Sequence, residues 1–388
     1  MFKKIALKLL LNKWHQGGFS VVFWDGEQEN YGNEPPAFKI IFHKEPPLQF
    51  HSDDAVLFFG EAYMDGLIDF EGSMDDILRV VALNTQPQEP KREPLMTPSD
   101  THIQRENIHH HYDLGNDFFS LWLDKTMSYS CAYFKTAKDS LYQAQLQKID
   151  HILKKINLKP GEKLLDIGCG WGWVIIRAAQ QYHVQATGIT LSTEQYKKTK
   201  QRIKELGLES QVNVELMNYQ DLNADKWQFD KIISVGMFEH VGKENLTKYM
   251  NKIHELLVPG GMSLLHTITG MFEGTPNTWM GKYIFPGGYV PSLRETIWLL
   301  PEYDFHLLHT ESLRLHYALT LDHWFDNFKE HIDEVKSKYG ERFVRMWSLY
   351  LRGCAAAFRV SGLDIDQLVF TKGLNNKLPI TYDYIYKD

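Results

Sequence analysis

The spacing of apolar and polar positions changes character along the chain. Over residues 1–14 lysines are interspersed with large apolar residues so that Ile5, Leu9 and Lys13 fall on one line of a helix, with Phe2, Leu10 and Trp14 nearby. Two readings of this segment stay open: a surface helix packed on its own domain by its leucines, or an interfacial amphipathic helix lying in a membrane surface. Short alternating runs at 19–24, 38–42 and 55–60 predict strands, and 73–83 predicts a helix, together a small α+β module. Across 84–100 the text NTQPQEPKREPLMTPSD carries four prolines that deny both helix and sheet, which predicts a linker. From 160 onward the pattern becomes LLDIG, a glycine-rich turn, the helical WVIIRAAQQY, then VQATGITL, a charged helix over 192–206, and VNVELM. FDKIISVGMFEH and GGMSLLHTI continue it as strands, separated by a helix that ends at Pro259-Gly260-Gly261. Strands alternating with helices at this spacing predict an α/β fold with a doubly wound, mostly parallel sheet. The expected organisation is a smaller N-terminal α+β domain at 1–83, a linker at 84–100 and a larger catalytic domain at 101–388.

Composition narrows the class. A length of 388 residues suits two domains, and 43% hydrophobic with 23% charged residues excludes global disorder, collagen-like chains and disulfide frameworks. Three cysteines, Cys131, Cys169 and Cys354, form no closed disulfide set and point to a reducing, cytoplasmic compartment. The first apolar run is short, is interrupted by Lys8 and Asn12 and precedes no small-residue cleavage site, so a signal peptide is not expected. No stretch approaches the roughly 18 apolar residues needed to cross a bilayer, so membrane association is expected to be peripheral. The net charge of -7 is unevenly spread. Residues 1–15 carry four lysines and no acid, residues 16–100 carry 5 basic and 16 acidic residues, and the remainder carries 33 of each. The acidity belongs to the N-terminal quarter, and the main body is neutral.

The chemistry begins at LLDIGCGWGW. Asp166, Gly168, Gly170 and Gly172 stand between a predicted strand and a predicted helix, where glycines let the backbone approach a ligand closely. A dinucleotide fingerprint would need a glycine at 173, where the chain has Trp173. The spacing D-x-G-x-G-x-G instead resembles the first motif of class I S-adenosylmethionine-dependent methyltransferases, with a Rossmann-like fold. Past the second strand no acid is available for the ribose, which leaves Thr190, Leu191, Ser192 and Gln195 at that position; Asn218, Tyr219 and Gln220 occupy the usual adenine edge. Cys169 inside the loop reads as a small residue. The run His109-His110-His111 does not converge on one ion as i and i+4 helix positions do, and no metal is expected.

The segments HHHYDLGNDFFSLWLD, MSYSCAYF, LLDIGCGWG, GITLSTEQ, GMFEHVG, LLHTITG, RLHYALTLDHW and GCAAAFR, spanning 109–359, closely resemble the cyclopropane-fatty-acyl-phospholipid synthases, with mycolic acid cyclopropane synthases more distant. The resemblance implies transfer of the S-adenosylmethionine methyl group to a cis double bond of a phospholipid acyl chain and closure to a cyclopropane through a carbocation. It implies bicarbonate as the base, held by Cys131, Glu239, His266, the Ile268 backbone and Tyr317. It also implies cofactor-tail contacts from Tyr129 and Ser130, and a catalytic mark on Cys354, although a Cys-Ala-Ala-Ala run equally suits packing and the chemistry needs no thiol nucleophile. Tyr133, Phe134, Phe238, Tyr283, Trp324 and Phe358 are candidates to line a cation-bearing pocket, with core packing as the plainer reading of each. An ion pair with Lys243 is the plainer reading of Glu239. The implied partners are unsaturated membrane phospholipids at the inner membrane face, without nucleic acid, and the N-terminal domain is expected to serve lipid docking or homodimer contact. Lys3, Lys4, Lys8 and Lys372 would supply its contacts with an anionic bilayer. The alternatives are a lipid or small-molecule methyltransferase that stops before ring closure, and a non-catalytic lipid-binding protein.

Overall fold

The computed structural model describes residues 2–46, 54–85 and 114–387. The expected linker lies outside the described residues from position 86 on, as do His109–His111. The chain divides into two compact units.

The first unit comprises 1–91, 276–286 and 321–363. Its sheet of β1 (Gly18–Val22), β2 (Gln28–Gly32), β3 (Phe38–Phe42) and β4 (Ile68–Glu71) runs in the order β2-β1-β3-β4. The alternation of 38–42 is reproduced as a buried, half-buried repeat in β3, whose Phe38 ring stacks on Phe19 at 5.4 Å. The expected strand at 55–60 is a helix, Ala55–Met64. Its run AVLFFG is apolar without a period, so only the cap decides: Asp54 accepts from the Leu57 N–H at 3.0 Å and starts a helical turn. The leading helix, Phe2–Leu11, buries Leu7, Leu10 and Leu11 and exposes Ile5 and Leu9 at 49% and 64%. Its lysines face the protein's own acids: Lys8 reaches Glu27 at 2.8 Å and Glu29 at 2.5 Å, and Lys4 pairs with Asp25 and Glu27. The basic segment and part of the acidic quarter therefore neutralise one another. The unit's sequence borders differ from those expected, because the helix Glu341–Val360 packs on the helices Met74–Asn84 and Ala55–Met64 and contributes Ala356 to their core. Arg345 fastens it, donating to Asp69 at 2.6 Å and to the Ile68 carbonyl at 2.8 Å.

The second unit comprises 92–275, 287–320 and 364–388. Seven strands, β5 (Lys163–Ile167), β6 (Gln185–Thr190), β7 (Val212–Leu216), β8 (Phe229–Val235), β9 (Leu257–Thr269), β10 (Phe305–Ser312) and β11 (Asp364–Lys372), form one sheet in the order β10-β11-β9-β8-β5-β6-β7. The run from β7 to β9 is parallel, and β11 and β10 are antiparallel additions. Because β5 pairs with β6 on one side and β8 on the other, the chain reverses its winding there and opens a crevice at the carboxyl ends of these strands. Apolar clusters centred on Ile175 and Ile233, and on Ile232 and Ile253, line the sheet.

Candidate active site

In the crevice, Gly168, Gly170 and Gly172 adopt φ of 80°, 53° and 81°, and the N–H groups of Gly168 and Cys169 both donate to the Ile189 carbonyl at 3.0 Å. The loop is thereby sewn to the end of β6. Asp166, at the carboxyl end of β5, is fully buried, and its Oδ1 has no partner among the described residues. Burial pushes its carboxyl up to about 7 against the opposing pull of Lys148. Lys148 is itself buried on the helix Leu141–Lys155; burial lowers it to about 8, and it donates to Ser130 Oγ at 2.9 Å. Gln145 of the same helix donates to the Ser130 carbonyl at 2.9 Å, so two helix residues hold the segment that carries Tyr129 and Ser130.

Of the residues singled out for a cofactor, Tyr129, Ser130, Asp166, Gly168, Cys169, Gly170, Thr190, Leu191, Gln195, Asn218 and Tyr219 line this one cavity. Thr190 donates to Gln195 Oε1 at 2.7 Å, joining the end of β6 to the helix Thr193–Glu205. Asn218 accepts from the Gln220 N–H at 3.0 Å, leaving its Nδ2 buried and unpartnered among the described residues. Gly172, Ser192 and Gln220 support rather than line the cavity: Gly172 opens the helix Trp173–Tyr182, Ser192 caps the helix Thr193–Glu205, and Gln220 reaches the Tyr219 hydroxyl at 3.2 Å. Lys148, Trp171, Met237 and His240 also line it and were not singled out. Lys148 lies in LQKIDHILKK, whose charges read as a solvated face; Met237 and His240 follow β8 beside Glu239.

A second cluster adjoins this cavity. Glu239 sits in a 3₁₀ turn, Phe238–His240, four residues past β8, and its Oε1 accepts the Ile268 N–H at 2.6 Å. Lys243 does not pair with it and instead lies 5.8 Å over the Tyr289 ring. Glu239 Oε2 and His266 Nε2 are both buried without a partner among the described residues. His266 and Ile268 stand two residues apart on β9, where Ile268 pairs with Ile365 of β11. Ile365 accepts the Leu313 N–H at 2.8 Å; the Leu313 carbonyl takes both the Tyr317 N–H at 3.0 Å and the Cys131 thiol at 3.8 Å. Hydrogen bonds thus join Glu239 to the Ile268 backbone and, separately, Tyr317 to Cys131 through the Leu313 carbonyl, with the Ile268–Ile365 strand pair lying between the two sets. Lys148 acts electrostatically on Cys131, Asp166 and His266 alike, which makes it the hinge between the cavity and this cluster. Burial holds the Cys131 thiol well above its ordinary range, so it is a neutral wall, not a thiolate.

Cys354 lies on the helix Glu341–Val360 in the first unit, and burial raises its thiol to about 12, far from a nucleophile's range. Tyr283, Trp324 and Phe358 also belong to the first unit. In the second, Phe238 packs edge-on to Tyr249 at 5.0 Å, Tyr133 is sandwiched between His151 at 4.2 Å and His316 at 4.8 Å, and Phe134 donates its N–H to His316.

The histidines here give a pH prediction. Burial lowers His240 to about 4, and burial, then Lys148 and Lys155, holds His266 well below its ordinary value. An unfolded histidine titrates near ~6.5. Below that pH the unfolded chain binds more protons than the folded one, so stability is full above it and lost as pH falls, on the order of 1 kcal/mol per pH unit for each such histidine. Asp166, raised to about 7, shifts stability the opposite way over the same range, so the histidine contribution is read by difference: from neutral pH to about pH 5, urea unfolding should lose more stability in wild type than in His240→Gln, and parallel profiles would contradict a buried neutral His240.

The chain matches the family model described as mycolic acid cyclopropane synthetase over residues 99–368, and a domain of unknown function, DUF7884, over 6–90. It is 37% identical over 379 residues to a probable fatty acid methyltransferase of Pseudomonas putida, covering 94% of this chain and 95% of that protein. It is 43% identical over 271 residues to the cyclopropane-fatty-acyl-phospholipid synthase of Escherichia coli strain K12, covering 70% and 69% respectively. Among solved structures, the cyclopropane synthase MmaA2 from Mycobacterium tuberculosis aligns with a TM-score of 0.65 at 36% identity, over 69% of this chain and 98% of that one. Mycolic acid cyclopropane synthase CmaA1 complexed with SAH and CTAB aligns at 0.66 and 35%, with the same coverage.

Proposed function

The chain belongs to the mycolic acid cyclopropane synthetase family, and on that premise we propose that it is a cyclopropane-fatty-acyl-phospholipid synthase acting on cis double bonds of unsaturated acyl chains in membrane phospholipids. The observation that carries this reading is the adjacency of two kinds of buried, unsatisfied polar site: Asp166 and Asn218 in a glycine-cradled cavity, and Glu239 and His266 beside it. The first set fits S-adenosylmethionine. Asp166, Ser130 and Lys148 offer both charges that an amino-acid tail requires, Thr190 and Gln195 offer hydroxyl and amide groups to a ribose, and Asn218 offers an amide N–H to an adenine edge. When bound, S-adenosylmethionine supplies an electrophilic methyl group.

An alkene is a weak nucleophile, so the chain's own task is to hold the double bond in line and keep water out. The carbocation formed on the acyl chain must lose a proton from the added methyl group for the ring to close. Glu239 and His266 suit the holding of a proton acceptor at that point, since burial raises the Glu239 carboxyl toward its protonated form and leaves His266 neutral, so that each can donate a hydrogen bond to a small base. Bicarbonate, a small movable base, would be held by the Glu239 carboxyl and the His266 ring N–H and would take up that proton. Contact with the bilayer is peripheral in this reading; among the described residues no helix is long and apolar enough to cross a membrane.

Mass spectrometry of lipids from cells expressing the chain tests the proposal. Unsaturated acyl chains should gain one CH2 and lose their hydrogenatable double bond. Methylated chains that keep the double bond would replace the proposal with simple methyl transfer, and an unchanged lipid profile with folded protein would refute it.

A further inference from the structure

Behind His266 lies a buried polar chain that the reaction as described does not use. His266 Nδ1 meets Gln367 Nε2 at 2.9 Å; the two residues pair directly across β9 and β11. Gln367 Oε1 accepts from Lys155 Nζ at 2.8 Å, and Lys155 also donates to Glu311 at 2.5 Å. Glu311 in turn meets His151 Nε2 at 2.6 Å. His266, Gln367 and Lys155 are wholly buried.

The direction of these bonds follows from chemistry. An ammonium only donates, so it must face the amide oxygen of Gln367. The amide NH2 then faces His266 Nδ1, which must be the accepting nitrogen. A proton on Nδ1 would set two donors against each other in a buried place. Protonation of the whole ring is opposed by burial and by Lys148, Lys155 and His151 around it.

We infer that Lys155 and Gln367 are positioning residues that fix His266 as the neutral tautomer protonated on Nε2, so that its free edge is an obligatory hydrogen-bond donor to an acceptor oxygen of a small anion in the site. The role for that anion rests on the function proposed above; the tautomer does not. His266 Nε2, buried and without a partner among the described residues, is the atom this arrangement prepares. Burial works to lower Lys155, and Glu311 opposes it and aims the ammonium: although burial works to raise the Glu311 carboxyl, His151 and Lys155 hold it down at about 2.

The experiment is two-bond proton–nitrogen correlation spectroscopy on full-length chain labelled with 15N-histidine. The chain has 17 histidines, and the His266 signals are those lost in His266→Gln. The expected wild-type pattern is a protonated Nε2 and a bare Nδ1, retained in Lys155→Arg, which keeps a donor-only cation against the amide oxygen. Gln367→Glu places an acceptor opposite Nδ1 and should protonate that nitrogen, with turnover falling about 10- to 100-fold and S-adenosylmethionine affinity unchanged. A wild-type ring protonated on Nδ1 overturns the inference, as does Gln367→Glu with Nδ1 still bare or with full turnover. If wild-type chain proves unable to cyclopropanate, the proposed function fails while the spectrum still decides the tautomer.

Discussion

Glutamine in place of Glu239 is expected to lower turnover about 100-fold or more, equivalent to roughly 2.7 kcal/mol of transition-state stabilisation, while S-adenosylmethionine affinity changes less than about threefold. The asymmetry follows from where the two oxygens point. Oε1 accepts the Ile268 N–H at 2.6 Å, and a glutamine carbonyl can keep that bond. Oε2 has no partner among the described residues, and an amide NH2 in its place can neither take up nor release a proton. Glu239 does not line the glycine-cradled cavity, so the cofactor should bind much as before. Calorimetric titration with S-adenosylmethionine and methyl transfer to vesicles of unsaturated phospholipid measure the two quantities separately. Glu239→Ala should give the same split with a further stability loss, because the Ile268 N–H is then left buried and unsatisfied. Equal losses in binding and turnover would remove Glu239 from the proton-transfer site.

The parts of this site that could be read from sequence are those whose chemistry is local. The glycine loop announces itself because three left-handed positions within five residues leave little choice of side chain. The helix 173–182 and the strands around it repeat at the spacing of a parallel sheet, and their ends fell within a residue or two of expectation. Short polar strands gave no such signal: β2, QENYG, buries only Tyr31, and β4, IDFE, is four residues long. The same limit hid Lys148, Lys155 and Gln367. A lysine on a helix rich in lysine and glutamine reads as solvated, and only the fold reveals that this face of the helix Leu141–Lys155 is turned inward. One signal was available. Gln367 is an uncharged polar residue in the run DIDQLVF, where a buried strand would otherwise be apolar, and such an exception calls for a hydrogen-bonding partner. The first unit's debt to the helix Glu341–Val360 is likewise nonlocal, since nothing near residue 350 marks it as a partner of the helices Ala55–Met64 and Met74–Asn84.

Gly172→Ala is expected to weaken S-adenosylmethionine binding about tenfold or more, or ~1.4 kcal/mol, and to cost roughly 2–4 kcal/mol of stability. Two independent effects add. Gly172 sits at φ 81°, where a Cβ is strained by about 1–2 kcal/mol. Its new methyl would also stand 2.3 Å from Thr199 Cγ2, too close for any L residue without movement. Thr199 is fully buried and donates to the Gly170 carbonyl at 3.2 Å, so its displacement withdraws a brace from the middle of the cradle. Gly172 itself does not line the cavity, and the affinity loss must therefore pass through loop geometry. Adding Thr199→Ser removes the crowded methyl and keeps the hydroxyl. The double variant should regain part of the stability and affinity, leaving the backbone strain as the residue of the defect. Urea unfolding and calorimetric titration read the two losses side by side. A Gly172→Ala protein that binds the cofactor as tightly as wild type would show that the loop tolerates a rearranged turn and that its left-handed geometry is not what holds the ligand.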